Sequence, residues 1–133
     1  KNVAMVGHFP FVDRLKPALK NLWVLELNPG PDDLPAEKAS EYIPQADVVA
    51  ITATTLINHT LEGLLALCRK ETKVMILGPS TPLSPVLFDH GVSLLCGTIV
   101  LDPQVAMLGI SQGASSHQLH HAGATRQITL EKA

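Results

Sequence analysis

Two side chains that can bind a metal ion or transfer a proton, His8 and Glu26, each follow a short apolar run of the sequence. An imidazole nitrogen and a carboxylate oxygen are common metal ligands, and both groups also act as general acids and bases. The sequence therefore predicts a metal-binding or proton-handling site at His8 and Glu26. The structural alternatives are a histidine satisfied by hydrogen bonds within the fold and a loop carboxylate or helix cap.

The position of Glu26 also fits a nucleotide-binding fold. It lies about 20 residues after Gly7, where such folds place the carboxylate that binds a ribose hydroxyl. The glycine-rich fingerprint is incomplete, because His8 and Phe9 follow Gly7 and because Pro10 has no backbone N–H to offer a phosphate. Binding of NAD or S-adenosylmethionine is therefore the second alternative for this region.

A second group of polar side chains lies in the segment ITATTLINHT, directly after the third apolar run. Asn58 and Thr60 precede a helical pattern, and either one is a suitable N-cap. The segment carries more polar groups than one cap requires, so we expect part of it to contact a ligand. Capping and ligand binding both remain open for Asn58 and Thr60.

The segment LGPSTPLSP, residues 77–85, follows the fourth apolar run and contains three prolines. Proline restricts the unfolded chain, so a proline-rich loop loses less entropy when it adopts one shape. We expect Thr81 to cap a helix whose first residue is Pro82, so that Ser80 and Thr81 present hydroxyl and N–H groups to an anion. The alternative is a tightly turned helix start that binds nothing.

Three of the six histidines lie in the segment SSHQLHH: His117, His120 and His121. In a helix they would share one face, which is a spacing that a metal ion can use. The neighbouring glycine and serines favour a loop or strand instead, and in a strand His120 would point away from the other two. We therefore expect surface histidines without a metal.

The candidate residues are separated by alternating strand and helix patterns. Continuous apolar runs indicate buried strands near residues 3–6, 23–27, 47–53, 73–77 and 93–101. The clearest helical pattern begins at Leu61; weaker ones cover residues 12–19, 36–43, 82–90 and 102–110, and the alternating tail ATRQITLEK indicates an edge strand. This order predicts an α/β, Rossmann-like, doubly wound and mostly parallel sheet of about five or six strands, with helices on both faces. Ligands of such sheets bind at the carboxyl ends of the strands.

The composition narrows the class of protein. The chain has 133 residues, enough for one domain, and its 46% hydrophobic and 17% charged residues are typical of a folded globular protein. A net charge of −2 argues against nucleic-acid binding, and no apolar stretch approaches the length of a membrane span.

The two cysteines lack metal-site spacing, so we expect reduced, buried thiols and a cytoplasmic protein. The first residue is not Met and a strand begins almost at once, so we expect an excised domain.

Four blocks together resemble a known family: VGHFPF, ELNPGPDDLPA, QADVVAITATTLINHTLEGLL and LGPSTPLSPVLFDHGV. They resemble the C-terminal Rossmann-like domain of a heavy-metal-chelation family first catalogued as a domain of unknown function. The resemblance implies a single domain over residues 1–133, an enolase-like N-terminal domain that is absent here, and a site in the cleft between the two. The cleft residues that it implies are Gly7, His8, Pro10, Glu26, Asn58, Thr60, Gly78, Pro79, Thr81 and Pro82.

Residues and resemblance together predict a domain that binds a small anionic or metal-complexing ligand at its strand ends. His8 and Glu26 would coordinate a divalent or heavy metal or handle a proton, while Asn58, Thr60, Ser80 and Thr81 would form hydrogen bonds. A nucleotide-cofactor enzyme is one alternative. Another is an interaction module whose apolar surface is covered by the missing domain or by a second copy of the chain.

Overall fold

Seven strands form a single sheet in the computed structural model, which describes residues 1–133. The strands are β1 (Asn2–Val6), β2 (Asn21–Glu26), β3 (Leu34–Pro35), β4 (Val48–Thr52), β5 (Lys73–Leu77), β6 (Leu94–Val100) and β7 (Thr125–Glu131). Their order across the sheet is β3-β2-β1-β4-β5-β6-β7. All neighbouring pairs are parallel except β6 and β7, which are antiparallel. The predicted α/β fold and the edge strand at the tail are confirmed, and β3 is an additional strand of only two residues.

The strand order reverses at β1, which lies between β2 and β4. One half of the sheet is built outward through β2 and β3, and the other through β4, β5 and β6. The connections that leave β1 and β4 therefore diverge to opposite sides, which opens a crevice at their carboxyl ends. This crevice is where the fold is expected to place a ligand.

The helices are short. They are α1 (Val12–Leu15), α2 (Ala39–Tyr42), α3 (Thr54–Ile57), α4 (Leu61–Ala66), α5 (Val86–Asp89), α6 (Pro103–Ser111) and α7 (Ser116–His121). Single 3-10 turns extend α1 and flank α2, and they contain Pro17 and Pro44, whose rings cannot continue a regular α-helix. The longest helix has nine residues, and none has the length and apolar character needed to cross a membrane.

Alternate residues of the central strands point to opposite faces and build two unequal apolar clusters. Ala4, Leu25 and Val49 belong to the larger cluster of 13 buried residues, which α2, α4 and the segment around α5 cover. Their neighbours Met5 and Val24 belong to a cluster of four on the other face, which α1 covers through Val12. Because both faces are covered, the strands are apolar throughout, as the sequence indicated.

The helix expected to start at Pro82 begins later. Its N-cap is Pro85 and its first residue is Val86, so Thr81 caps no helix. Residues 81–84 instead cross β6 as irregular chain. The carbonyl oxygen of Thr81 lies so close to Gly97 that a Cβ there would approach it to 2.8 Å. The helix N-terminus predicted at Ser80 and Thr81 is therefore wrong, because the prolines extend the loop across the sheet before the helix starts.

The segment SSHQLHH is helical, so the expected loop or strand is wrong there. The Ser115 hydroxyl accepts a hydrogen bond from the Gln118 N–H, and the Gln118 side chain accepts one from the Ser115 N–H, which makes a capping box. Cys68 and Cys96 are both free, as predicted, but half-buried rather than fully buried. Burial raises the pKa of the Cys68 thiol, which keeps it protonated and unreactive.

Candidate functional site

A cavity of about 300 Å³ lies at the carboxyl ends of β1, β2 and β4, at the reversal of strand order. Five residues proposed from the sequence line it: Gly7, His8, Glu26, Asn58 and Thr60. Its volume is at the lower end of the range of small-molecule sites, about 300 to 1,000 Å³. The cavity therefore has room for a small ligand and brings together residues from three separate loops.

His8 is paired with an aspartate that the sequence analysis did not single out. The imidazole Nδ1 lies 2.8 Å and 3.0 Å from the two carboxylate oxygens of Asp33. The Asp33 side chain is only 5% exposed and also accepts a hydrogen bond from the Gly30 N–H. Burial acts to raise the pKa of Asp33, but the hydrogen bonds from His8 and Gly30, together with nearby positive charge, outweigh it and hold the pKa below its ordinary value. Asp33 is therefore an ionised carboxylate at neutral pH.

The charge on Asp33 determines what the His8 ring can do. A carboxylate accepts a hydrogen bond from Nδ1–H, so it favours the tautomer in which Nε2 carries a free lone pair. The His8 side chain is 44% exposed and lines the cavity, and no residue of the chain hydrogen-bonds to Nε2. An imidazole held in this way can bind a metal ion through Nε2 or accept a proton from a ligand.

Glu26 accepts hydrogen bonds from the backbone with both of its oxygens. The His8 N–H donates to Oε2 at 2.9 Å, and the Leu27 N–H donates to Oε1 at 2.9 Å. These bonds join the loop after β1 to the end of β2 and fix the backbone at His8. The carboxylate still lines the cavity, but only its remaining lone pairs face a ligand. Its local role is to hold His8 in place.

Polar side chains after β4 form the opposite wall. The Thr60 hydroxyl donates to Asn58 Oδ1 at 2.6 Å, and the Thr52 and Thr54 hydroxyls are 3.1 Å apart. Thr60 occupies the N-cap position of α4, but its side chain makes no capping bond to the helix. The prediction that Thr60 is the N-cap residue is therefore confirmed in position, but neither the Asn58 nor the Thr60 side chain caps the helix. The two side chains bind each other, and Asn58, whose amide N–H groups donate no hydrogen bond within the chain, lines the cavity.

Gly7 is required by the close approach of two strand ends. Its φ angle is +100°, and a Cβ at this position would lie 3.1 Å from Cβ and Cγ2 of Thr52. A larger residue would be strained in its backbone and would push β1 and β4 apart. Gly7 thus allows the loop that carries His8 to turn directly over the cavity.

The remaining residues proposed from the sequence do not line this cavity. They are Pro10, Gly78, Pro79, Ser80, Thr81 and Pro82. Gly78 follows β5, next to the end of β4, and Pro79, Ser80 and Pro82 are exposed there. Thr81 is buried, and its hydroxyl has no hydrogen-bonding partner. The proline-rich loop therefore lies at the same edge of the sheet as the cavity but outside it.

One residue of the site was not predicted from the sequence: Asp33, which pairs with His8. The available signal for Asp33 was the turn-rich segment NPGPDD, which must bring the chain back from β2 and carries two carboxylates. Nothing in a single sequence shows that this turn folds over the end of β1. Thr52 and Thr54 belong to the segment already proposed for ligand contact, in which Asn58 and Thr60 were favoured as caps.

The side chains of this chain do not by themselves make a complete metal site. No group of three or more His, Cys, Asp or Glu residues is placed so that it could hold a metal ion. Structural zinc sites use four protein ligands and catalytic ones three. His8 offers one free nitrogen, and Glu26 is already hydrogen-bonded through both oxygens. A metal in this cavity would need most of its ligands from elsewhere.

Solved structures and curated proteins that are similar to this chain are about twice as long as it is. A Desulfitobacterium hafniense protein of unknown function from the DUF364 family is 35% identical, with a TM-score of 0.86 over 99% of this chain and 53% of its own. A Pyrococcus horikoshii structure of the same family, 21% identical, has a TM-score of 0.87 and covers 99% of this chain and 54% of its own, which supports the fold. An uncharacterised Methanocaldococcus jannaschii protein is 31% identical over 98% of this chain and 52% of its own.

The sequence profile described as "Putative heavy-metal chelation" matches residues 1–129. This match covers nearly the whole chain, and the TM-scores of the two related structures show that the fold is shared. The chain therefore belongs to the DUF364 family, as the four sequence blocks had indicated.

Proposed function

We propose that this domain binds a small anionic or metal-complexing ligand in the cavity at the carboxyl ends of β1, β2 and β4. The observation that carries the proposal is the pair His8–Asp33, in which a buried carboxylate fixes the ring and leaves Nε2 free at the cavity. Hydrogen-bonding groups of Thr52, Thr54 and Asn58 face it across the same space. A free imidazole nitrogen opposite neutral hydrogen-bonding groups suits a ligand with oxygen atoms and a bound metal.

The family description supports a metal-containing ligand, and the geometry supports a different role for each residue around it. One Nε2 atom can supply a single bond to a metal whose other positions are filled by a chelating ligand. In that arrangement Asp33 orients His8, Glu26 holds the backbone of His8, and Asn58 and the threonines bind oxygen atoms of the ligand. The metal would then be part of what the domain binds, not a resident cofactor.

Calorimetric titration of the protein with Ni²⁺, Co²⁺, Zn²⁺ and molybdate tests this proposal. We expect His8→Ala to remove binding to the cavity and Asp33→Asn to weaken it by about tenfold, as is usual when a residue that orients a metal-binding histidine is lost. His90→Ala is the matched control, because His90 is exposed at the end of α5, outside the cavity. Equal affinities for wild type and His8→Ala would contradict the proposal.

A nucleotide ligand is a second candidate that one observation favours. The sheet order reverses beside β1, and Glu26 ends the neighbouring strand β2, as in folds that bind a ribose there. The two backbone hydrogen bonds to Glu26 weigh against this candidate, because they occupy part of the carboxylate that would receive the ribose hydroxyls. Saturation-transfer NMR with NAD and S-adenosylmethionine tests whether the domain binds a nucleotide. A signal that Glu26→Gln abolishes would favour the nucleotide, and silence in the wild type would exclude both cofactors.

We also propose that a second domain closes the cavity in the longer protein. The matched relatives are about twice the length of this chain, and the sequence blocks resemble a family whose other domain is enolase-like. Ligands missing from the cavity would come from that domain. The measurement compares the Ni²⁺ affinity of the intact Desulfitobacterium hafniense protein with that of its fragment matching this chain. Equal affinities would mean that the additional domain supplies no ligand.

A further inference from the structure

A second pair of ring nitrogens lies close together on helix α7, outside the cavity. Nε2 of His117 and Nε2 of His121 are 3.2 Å apart, and the ring centroids are separated by 4.4 Å. The two residues are one helical turn apart, and both are exposed. Both rings therefore direct the nitrogen that commonly binds metals toward one point at the surface.

The distance between these nitrogens matches that of two ligands on one metal ion. Zinc–nitrogen bonds are about 2.0 to 2.1 Å long, so two nitrogens 3.2 Å apart would subtend an angle of about 103° at the metal. This angle is close to that of a tetrahedral site. In the absence of metal the same distance also suits an N–H···N hydrogen bond between the rings, whose proton would be released when both nitrogens bind a metal.

The helix that carries the pair is fixed at its start and by packing against α6. The capping box of Ser115 and Gln118 holds its start. Leu119 packs on α6 at Gly109, where a Cβ would come within 2.6 Å of Leu119 Cδ2. A helix of six residues is not stable alone, so these contacts are what keep its side chains in register. The two rings are consequently brought together before any ion arrives.

The third histidine of the helix has a different partner. Nδ1 of His120 lies 3.2 Å from the carbonyl oxygen of Thr125, at the start of β7. That contact ties His120 to the sheet and leaves it out of the pair. His120 is therefore an internal control, because it lies in the same helix and is also exposed.

We propose that His117 and His121 form a bidentate surface site for Zn²⁺, Ni²⁺ or Cu²⁺. Imidazole ligands suit these ions, and the usual order of affinity places Cu²⁺ first, whereas Mg²⁺ and Ca²⁺ prefer oxygen. The other coordination positions are open to water or to a donor from another molecule. The site is separate from the cavity and does not depend on His8.

The test is a titration of tag-free protein with Cu²⁺ and Ni²⁺, followed by calorimetry and by the nitrogen splitting in the Cu²⁺ electron paramagnetic resonance spectrum. We expect a surface site with two coordinated nitrogens, separate from any one-nitrogen site that His8 forms in the cavity. His117→Gln and His121→Gln should each weaken it by at least about tenfold and leave one nitrogen, because the chelate becomes a single ligand. His120→Gln and His8→Ala should leave it unchanged.

The outcomes separate this proposal from the proposed function. Loss of the site in His8→Ala, with no change in His121→Gln, would overturn the surface site and favour the cavity. A two-nitrogen signal that persists in His121→Gln would also overturn it. If His117→Gln and His121→Gln lose the signal while His8→Ala keeps it, the surface site stands whether or not the cavity binds a metal.

Discussion

The replacement of Glu26 by glutamine tests whether the carboxylate holds the His8 loop. Each Glu26 oxygen accepts one backbone N–H, from His8 and from Leu27. Glutamine keeps one acceptor, but its NH2 group faces the other donor, so one hydrogen bond to a charged acceptor is lost. Such a bond contributes about 1.5 to 3 kcal/mol. Because Glu26 is only half-buried, water can partly replace it, and we expect a loss of about 1 to 2 kcal/mol of unfolding free energy.

The assay is thermal unfolding followed by circular dichroism. With an unfolding entropy of about 2.1 cal/mol/K per residue, a chain of 133 residues should lose about 4 to 7 °C in Tm. The matched control is Glu71→Gln, because Glu71 is exposed in the turn before β5, and its Tm should stay within about 1 °C of the wild type. If Glu26→Gln melts together with the control, the carboxylate neither anchors the loop nor holds the backbone of His8.

Gly97→Ala should lower the unfolding free energy by about 1 to 3 kcal/mol in a denaturant titration, because the new Cβ would lie 2.8 Å from the Thr81 carbonyl. The control Gly63→Ala, in the open interior of α4, should instead raise the unfolding free energy by about 0.5 to 1 kcal/mol. If Gly97→Ala stabilised the protein, the loop would not cross β6 at Gly97. Asp33→Asn should destabilise the protein at pH 7, and the difference from wild type should shrink as the pH falls below about 4. The pKa of Asp33 is lowered in the folded protein, so its contribution is present above the unfolded pKa and is lost as the pH falls through the folded one. A difference that persists at pH 2 would show that the stabilisation does not come from the ionised Asp33 carboxylate.

The sheet could be predicted from the sequence because each buried strand is an unbroken apolar run. Residues Lys73–Leu77 and Leu94–Val100 are examples in which strand and run nearly coincide. The strand Leu34–Pro35 could not be predicted, because two residues carry no periodicity. Helix α7 was missed because its residues are mostly polar and serines and glycine flank it. The capping-box pattern, Ser115 followed three residues later by Gln118, was the available sequence signal for this helix.

The candidate site was predictable where it depends on strand ends and not where it depends on how a loop folds back. His8 and Glu26 end neighbouring strands, so their proximity follows from the parallel sheet. Contact between His8 and Asp33 requires the turn after β2 to return over β1, which no local pattern encodes. The error at Thr81 has the same origin, since the prolines allowed either an early helix or an extended crossing of β6.

The double attachment of His8 has a consequence for how this family could vary. Its main-chain amide is held by Glu26, whereas its ring is held by Asp33 in the following turn. A longer or shorter turn after β2 would change the orientation of the imidazole, while the backbone at His8 would stay in place. Small insertions near residues 28–33 could therefore change the position of the ring among relatives, and with it any ligand preference. The same segment could be engineered to move the ring without disturbing the sheet.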